Sequence, residues 1–355
     1  MKMKRIFAAA LSLCMALTLL AGCQSGGNST GGSTSGGNTG SGGSGASGSG
    51  GSETVDWPKD NINLIVPFAA GGGMDLTGRL AAMYLEKELG VTVTVNNVEG
   101  GNSWTGWTQV IQAEGDGYTL GMANYPQCVG GYLNPSSGIP FTYKDFSYIA
   151  NIVSDPNVLW VSANHSDFTT AQEFFEYAES NPVVLGTGGG AGCDDDVLIA
   201  KVNEALGLSM ESGRNSGFSE AKTAVLGGHI DGAVSNVSEV YSMIGSTGDD
   251  AIRILCIFSE ERNELCPDVP TFEECGYPQV LGASDRGLVG PADLDPAVKE
   301  ILIDTLKNIE ANEEFQAEAL SQGMTINMMY GDDFEAYVAS VEETMNGMLE
   351  LFGWA

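Results

Sequence analysis

Histidine is almost missing from this chain. Only His165 and His229 occur in 355 residues, and neither stands in a pattern with a second acid, base or nucleophile. Both read as surface or structural residues. There is no G-x-S-x-G elbow, no H-E-x-x-H pair, and no glycine run followed by Lys and Ser or Thr. Serine-hydrolase, zinc-protease and phosphate-loop chemistry therefore lack their core motifs. The seven cysteines contain no C-x-x-C pair, so no metal site is expected, and no cofactor is called for. Positive charge is scarce as well: 15 Lys and Arg stand against 46 Asp and Glu, a net charge of −31. Phosphates would be repelled, which excludes nucleic acid as a partner.

What is present begins with a leader. Residues 1–22 combine a basic start, MKMKR, with the apolar run IFAAALSLCMALTLL, and read as a signal peptide. Leu20-Ala21-Gly22-Cys23 looks like a bacterial lipobox, with Cys23 the lipidated first residue of the mature chain; an ordinary secretory signal ending in Cys is the alternative. Residues 23–53 are nearly all Gly, Ser, Asn and Thr, a composition that behaves as a flexible tether. No later segment is long and apolar enough to cross a bilayer. The expected location is the outer face of a bacterial cytoplasmic membrane. With Cys23 lipidated, five mature cysteines remain, too odd a number for a complete disulfide framework. A bridge between Cys266 and Cys275 stays open.

From Asn61 onward, strand, glycine turn and helix recur. NLIVPF is a doubly covered strand, and Leu76, Leu80, Met83 and Tyr84 share one face of the helix that follows. A second module starts near NVLWVSA at 157–163. Thr170 with Glu173 forms a capping box, and Thr271 with Glu274 predicts another short capped helix. Asp295-Pro296 opens a long helix, and 331–352 forms the last, through Phe334, Val338, Val341, Met345 and Phe352. The fold class is α/β with mainly parallel sheets.

Two glycine turns share one form. FAAGGGMD at 68–75 and TGGGAGCDDD at 187–196 each follow a buried strand and precede an amphipathic helix. In open α/β sheets, ligands sit beyond the carboxyl ends of strands, where such turns lie. Facing each other across a cleft, two helix N-termini would grip a carboxylate with backbone N–H groups. Tight strand-to-helix connection is the plainer alternative.

Beyond these turns, the order VPFAAGGGMD, GDGYTLGMAN, AVLGGHIDGAV, PDVPTFEECGYP and GLVGPADLDPAVKEIL resembles the substrate-binding proteins of tripartite tricarboxylate transporters, the Bug family. The similarity runs through essentially everything after the tether. It implies a two-lobed, type II periplasmic-binding-protein (Venus flytrap) fold with a hinge, a small carboxylate ligand, and a large and a small membrane permease subunit as partners. Lobe 1 is expected at 54–157 and 278–355 and lobe 2 at 158–277, in a monomeric protein. By motif, the resemblance assigns Phe68, Ala69, Ala70, Gly71, Gly72, Gly73 and Asp75 to the first-lobe loop, with Asn124 and Tyr125 beside it. It assigns Thr187, Gly188, Gly189, Gly190 and Cys193 to the second-lobe loop, with Ser235 and Asn236 after a strand. Asp75 reads equally as a helix cap.

Departures from the family pattern fall at Cys193 to Asp196, at Arg214 to Gly217, and at Asp285 and Arg286. They leave the ligand open between a dicarboxylate and an amino acid or similar zwitterion. The run Asp194, Asp195, Asp196 has two readings. Either it complements the helix dipole in a first turn, or Asp194 or Asp195 meets an ammonium group, which makes the ligand an amino acid or similar zwitterion. Arg214 is a candidate anchor for a second carboxylate. The function expected is an extracytoplasmic solute receptor. A surface sensor feeding a signalling system is the alternative, and a hydrolase a distant third.

Overall fold

The alternation of strand and helix holds through the described residues, 55–215 and 217–355 of a computed structural model. The leader, the tether and Cys23 lie outside them. The first half of the chain runs β1 (Ile62–Val66), α1 (Gly73–Leu89), β2 (Val93–Asn97), α2 (Trp104–Ile111), β3 (Thr119–Tyr125) and α3 (Gln127–Leu133). β1 pairs in parallel with both β2 and β3, and its Leu64 and Val66 on one face and Ile65 on the other are buried, as a strand covered on both faces requires.

β4 (Phe146–Ser162) then runs unbroken for 17 residues. Beyond it come α4 (Ala171–Ala178), β5 (Val184–Thr187), α5 (Asp194–Leu206), β6 (Glu211–Arg214), α6 (Phe218–Leu226), β7 (Gly232–Asn236), α7 (Val237–Val240) and β8 (Ile252–Ile257). The chain returns along β9 (Ala283–Pro291) and ends in α8 (Pro296–Glu310), α9 (Glu313–Ser321), β10 (Ile326–Tyr330) and α10 (Gly331–Gly347). The strand order is β2-β1-β3-β9-β4-β7-β5-β6, with β8 and β10 also on β4. Parallel pairs stand toward the two ends, while β4 and β9 supply antiparallel pairing in the middle. The result is a two-lobed α/β fold. The first half of β4 pairs with β9 and β10, and its second half pairs with β7 and β8. One apolar cluster joins β1, α1 and α8 through Leu64, Tyr84 and Leu302, and another joins α4, α5 and β8 through Phe174, Val202 and Leu255.

Local signals mostly translate directly. Thr170 and Glu173 close a reciprocal capping box on α4, and Asp295 accepts from the amides of Ala297 and Val298 ahead of Pro296. Others need correcting. Thr271 and Glu274 do exchange hydrogen bonds, but around a turn that no helix continues. Met83 is exposed, since α1 buries the stripe through Leu80, Tyr84 and Leu85 instead. The second module does not start a fresh strand at 157, because β4 carries through from Phe146. α10 stops at Gly347, so Phe352 packs from a terminal turn. The five described cysteines are free and buried, so Cys266 and Cys275 form no bridge.

Candidate functional site

Both glycine turns open onto one cavity of about 310 Å³. The β1–α1 turn contributes residues 68–73, and the β5–α5 turn contributes Gly188, Gly189 and Cys193. Neither α1 nor α5 has a side-chain cap; Gly72 and Cys193 occupy the cap positions without such a bond. Their first amides are therefore open donors. The β5–α5 turn meets the loop before α2 and the face of α3: Asn102 Nδ2 donates to the Ala191 carbonyl at 3.3 Å, and a Cβ on Gly130 would lie 2.6 Å from the Gly192 carbonyl oxygen. Strand ends complete the wall, with Asn124 next to last in β3, Asn236 closing β7, and Ser284 and Arg286 on β9.

Arg286 is the electrostatic centre. It is 2% exposed and meets Asp155 of β4 at 2.9 Å. It also donates to Ser284 Oγ at 3.1 Å, Ser238 Oγ at 3.2 Å and Asn236 Oδ1 at 3.0 Å. Ser238 in turn binds Asp155 through both its amide and its hydroxyl. The guanidinium lies against Gly73, where a Cβ would stand 2.6 Å from Nη2. Only glycine allows that approach.

On the opposite wall the three aspartates divide their work. Asp196 accepts from Gly192 N–H at 2.9 Å and from Arg214 at 3.0 Å. Asp195 accepts from Gly188 N–H at 2.8 Å and Asn157 at 2.9 Å. Asp194 Oδ2 accepts from Asn157 and Asn236, both at 2.8 Å. Burial and the neighbouring Asp194 push the Asp195 carboxyl well above the ordinary range. Burial likewise raises Glu239 to about 7, with Arg286 pulling it down and Asp194 pushing it up. The Cys193 thiol is also raised, by burial first and then by the aspartates, which leaves it unreactive. Among the described residues no helix is long and apolar enough to cross a membrane, and no cluster of ligating side chains fits a metal.

Residues 77–350 match the tripartite tricarboxylate transporter family receptor. The chain belongs to that family. Protein BugT of Bordetella pertussis is 26% identical over 305 residues, covering 84% of this chain and 90% of BugT. A tripartite tricarboxylate (TctC) solute-binding protein from Polaromonas is 26% identical with a TM-score of 0.65, covering 83% of this chain and 99% of that one. The malate-bound protein MatC of Rhodopseudomonas palustris shares the fold at 21% identity and a TM-score of 0.71, covering 83% of this chain and all of its own. The tricarboxylate-receptor family consists of solute-binding receptors, not enzymes, that work outside the cytoplasm with membrane partners. The architecture is the two-lobed, hinged periplasmic-binding-protein fold.

In this family member, Phe68, Ala69, Ala70, Gly71, Gly72, Gly73 and Asn124 line the cavity from one side. Gly188, Gly189, Cys193, Asp194, Asp195 and Asn236 line it from the other. Six sequence candidates lie elsewhere. Asp75 turns back on its own loop, accepting from Gly71 N–H and Arg79 at 2.8 Å and from Asn97 at 2.9 Å. Burial pushes its carboxyl up, but Arg79 and the other donors hold it below the usual range. Tyr125 is packed in the core against Tyr148 and Phe334. Thr187 is fully buried, and its hydroxyl is spent on the Gly189 carbonyl. Ser235 is likewise buried, accepting from the Trp160 indole. Gly190 faces a separate groove beside Asn102. Arg214 serves Asp196 from a half-exposed position. His165 and His229 are both exposed and outside the cavity.

Lining residues that the sequence reading did not assign include Arg286, Ser284, Gln127 and Glu239. Two carried a signal. Arg286 stands with Ser284 and Asp285 as a polar start to the otherwise apolar β9, and Asn236 with Glu239 spells a capping box whose acid ends at the cavity.

Proposed function

We propose that this receptor captures a small carboxylate-bearing solute in the 310 Å³ cavity. The observation that carries the reading is the opening of two uncapped helix N-termini onto one cavity, with Arg286 beside the first. Backbone amides, the macrodipole of α1 and a buried guanidinium all favour an anionic head group there. The hinge is the pair β4 and β9, with lobe 1 at 54–157 and 278–355 and lobe 2 at 158–277. Ligand affinity for the closed arrangement shifts the open–closed population, and no covalent step is needed.

The mature protein is a monomer held at the outer membrane face by lipid on Cys23, with residues 24–53 as its tether. It delivers the solute to a large and a small permease subunit. A thermal-shift screen of organic acids and amino acids tests the binding step. A ligand at 100 times its dissociation constant should add about 2.7 kcal/mol of apparent stability. No shift from any carboxylate would remove the reading. Genes for two multi-spanning subunits beside this one favour transport, whereas an adjoining membrane kinase favours a sensor.

A further inference from the structure

We propose that Asn102, Gly130 and Trp354 of lobe 1 are positioning residues that latch the β5–α5 turn of lobe 2 over the ligand cavity, and that this latch slows ligand release. The inference rests on the two-lobed capture proposed above, and it adds a contact that holds the lobes together away from the ligand.

The β5–α5 turn has two flanks. Gly188, Gly189 and Cys193 face the ligand cavity, while Gly190 and Ala191 face a separate groove on the lobe 1 side. Bonds within lobe 2 shape the turn: Gly192 N–H donates to Asp196 at 2.9 Å, and Cys193 N–H donates to the Gly190 carbonyl at 3.1 Å. Three further contacts cross to lobe 1. Asn102 Nδ2 donates to the Ala191 carbonyl at 3.3 Å, and Gln127 Nε2 steadies Asn102 from behind at 3.1 Å. α3 meets the turn backbone to backbone, since a Cβ on Gly130 would stand 2.6 Å from the Gly192 carbonyl oxygen and 2.8 Å from its Cα. The chain end supplies the third contact, with Trp354 Cη2 3.0 Å from where a Cβ on Gly192 would be. Glycine on both sides is what permits so close an approach.

Two other observations point the same way. Asn102 and Ser103 hold φ of +53° and +72°, a left-handed conformation that residues with a Cβ seldom adopt. Such strain persists where the surroundings over-determine it, and here it falls where the loop reaches the turn. Apolar packing also crosses the lobes. Val197 and Ala200 of α5 join a cluster otherwise built from lobe 1, including Val129, Met345 and Phe352. Phe352 packs on Trp354 with ring centroids 4.7 Å apart, and Trp354 N–H ties the tail back to the Leu349 carbonyl at 2.8 Å. Asn102, Gly130 and Trp354 do not line the ligand cavity, so they act on the ligand through the turn. Weakening them lowers the closed fraction, and apparent affinity falls with that fraction.

Hydrogen exchange of the ligand-free protein, read by mass spectrometry, and binding kinetics with malate and adipate test the proposal. Gly130→Ala and Trp354→Ala should each speed exchange across residues 186–193 about tenfold, while β1 and β3 exchange as in wild type. Alanine is the better helix former, so Gly130→Ala is not expected to loosen α3 itself. Trp354→Phe should restore slow exchange. Dissociation of whichever acid binds should quicken about tenfold in both alanine variants, with association little changed. Unchanged exchange at the turn overturns the proposal. So does an equal rise in both lobes, which marks general destabilisation, and so does a loosened turn with unaltered dissociation. Trp354→Phe behaving as Trp354→Ala overturns the part given to the ring. Failure of both acids to bind wild type counts against carboxylate capture instead, and exchange then decides the latch. If Gly130→Ala does not fold, the two Trp354 variants decide.

Discussion

Gly73 is held to glycine by the group that presses on it. A Cβ there would stand 2.6 Å from Arg286 Nη2 and 2.7 Å from Cζ, too close for either to stay. Gly73→Ala should therefore displace the guanidinium, costing about 1–3 kcal/mol of stability by overpacking. It should also weaken carboxylate binding tenfold or more, checked by denaturant melts and titration. Removing the guanidinium is worse. Arg286→Ala leaves Asp155 fully buried and unpaired, a change expected to cost about 3–5 kcal/mol in urea unfolding. Unfolding within 1 kcal/mol of wild type would show that Asp155 does not depend on its partner. At this scale the glycine turns were legible because their neighbours in sequence are their neighbours in space. Arg286 was not, since its partners Asp155, Ser238 and Asn236 come from strands and turns far away in the chain.

Helices α1 and α5 present opposite characters at equivalent ends. α1 brings bare glycine amides, whereas α5 brings three carboxylates that offset its own dipole. Glu239, capping the short helix after β7, adds a pH dependence. Its carboxyl is raised from 4.5 to about 7, so the folded state holds a proton that the unfolded chain releases earlier. Stability from this group is fully present below about pH 4.5 and is lost as pH rises through 7. The charged groups facing it are Arg286 on β9, Asp194 on α5 and Asp155 on β4, with Glu220 of α6 in the same lining. Melting curves of the ligand-free protein between pH 5 and 8 should show that decline, and Glu239→Gln should flatten it. Away from the site, Asp295→Ala should cost about 1 kcal/mol by uncapping α8. Caps and apolar stripes were readable because they are local. The Thr271–Glu274 pattern failed as a helix signal because the same two bonds also close a turn.

Across the whole molecule, β4 and β9 do what no short stretch announces. β4 gives its first half to β9 and β10 and its second half to β7 and β8. β9 alternates Asp285 toward a groove beside Tyr337 and Arg286 toward the ligand cavity. In the proposed hinge, then, the strands that would bend also carry Asp155 and Arg286. A 17-residue strand followed by a return about 120 residues later is invisible to periodicity, which reports elements one at a time. The resemblance to a receptor family supplied the two-lobed plan; composition alone reached only α/β. The most direct measurement is a crystal structure of the protein with its best-binding carboxylate. The account predicts a carboxylate within hydrogen-bond reach of the first amides of α1 and of Arg286, enclosed by the Gly188–Asp194 turn. A ligand seated elsewhere, with the mouth of α1 filled only by water, would contradict it.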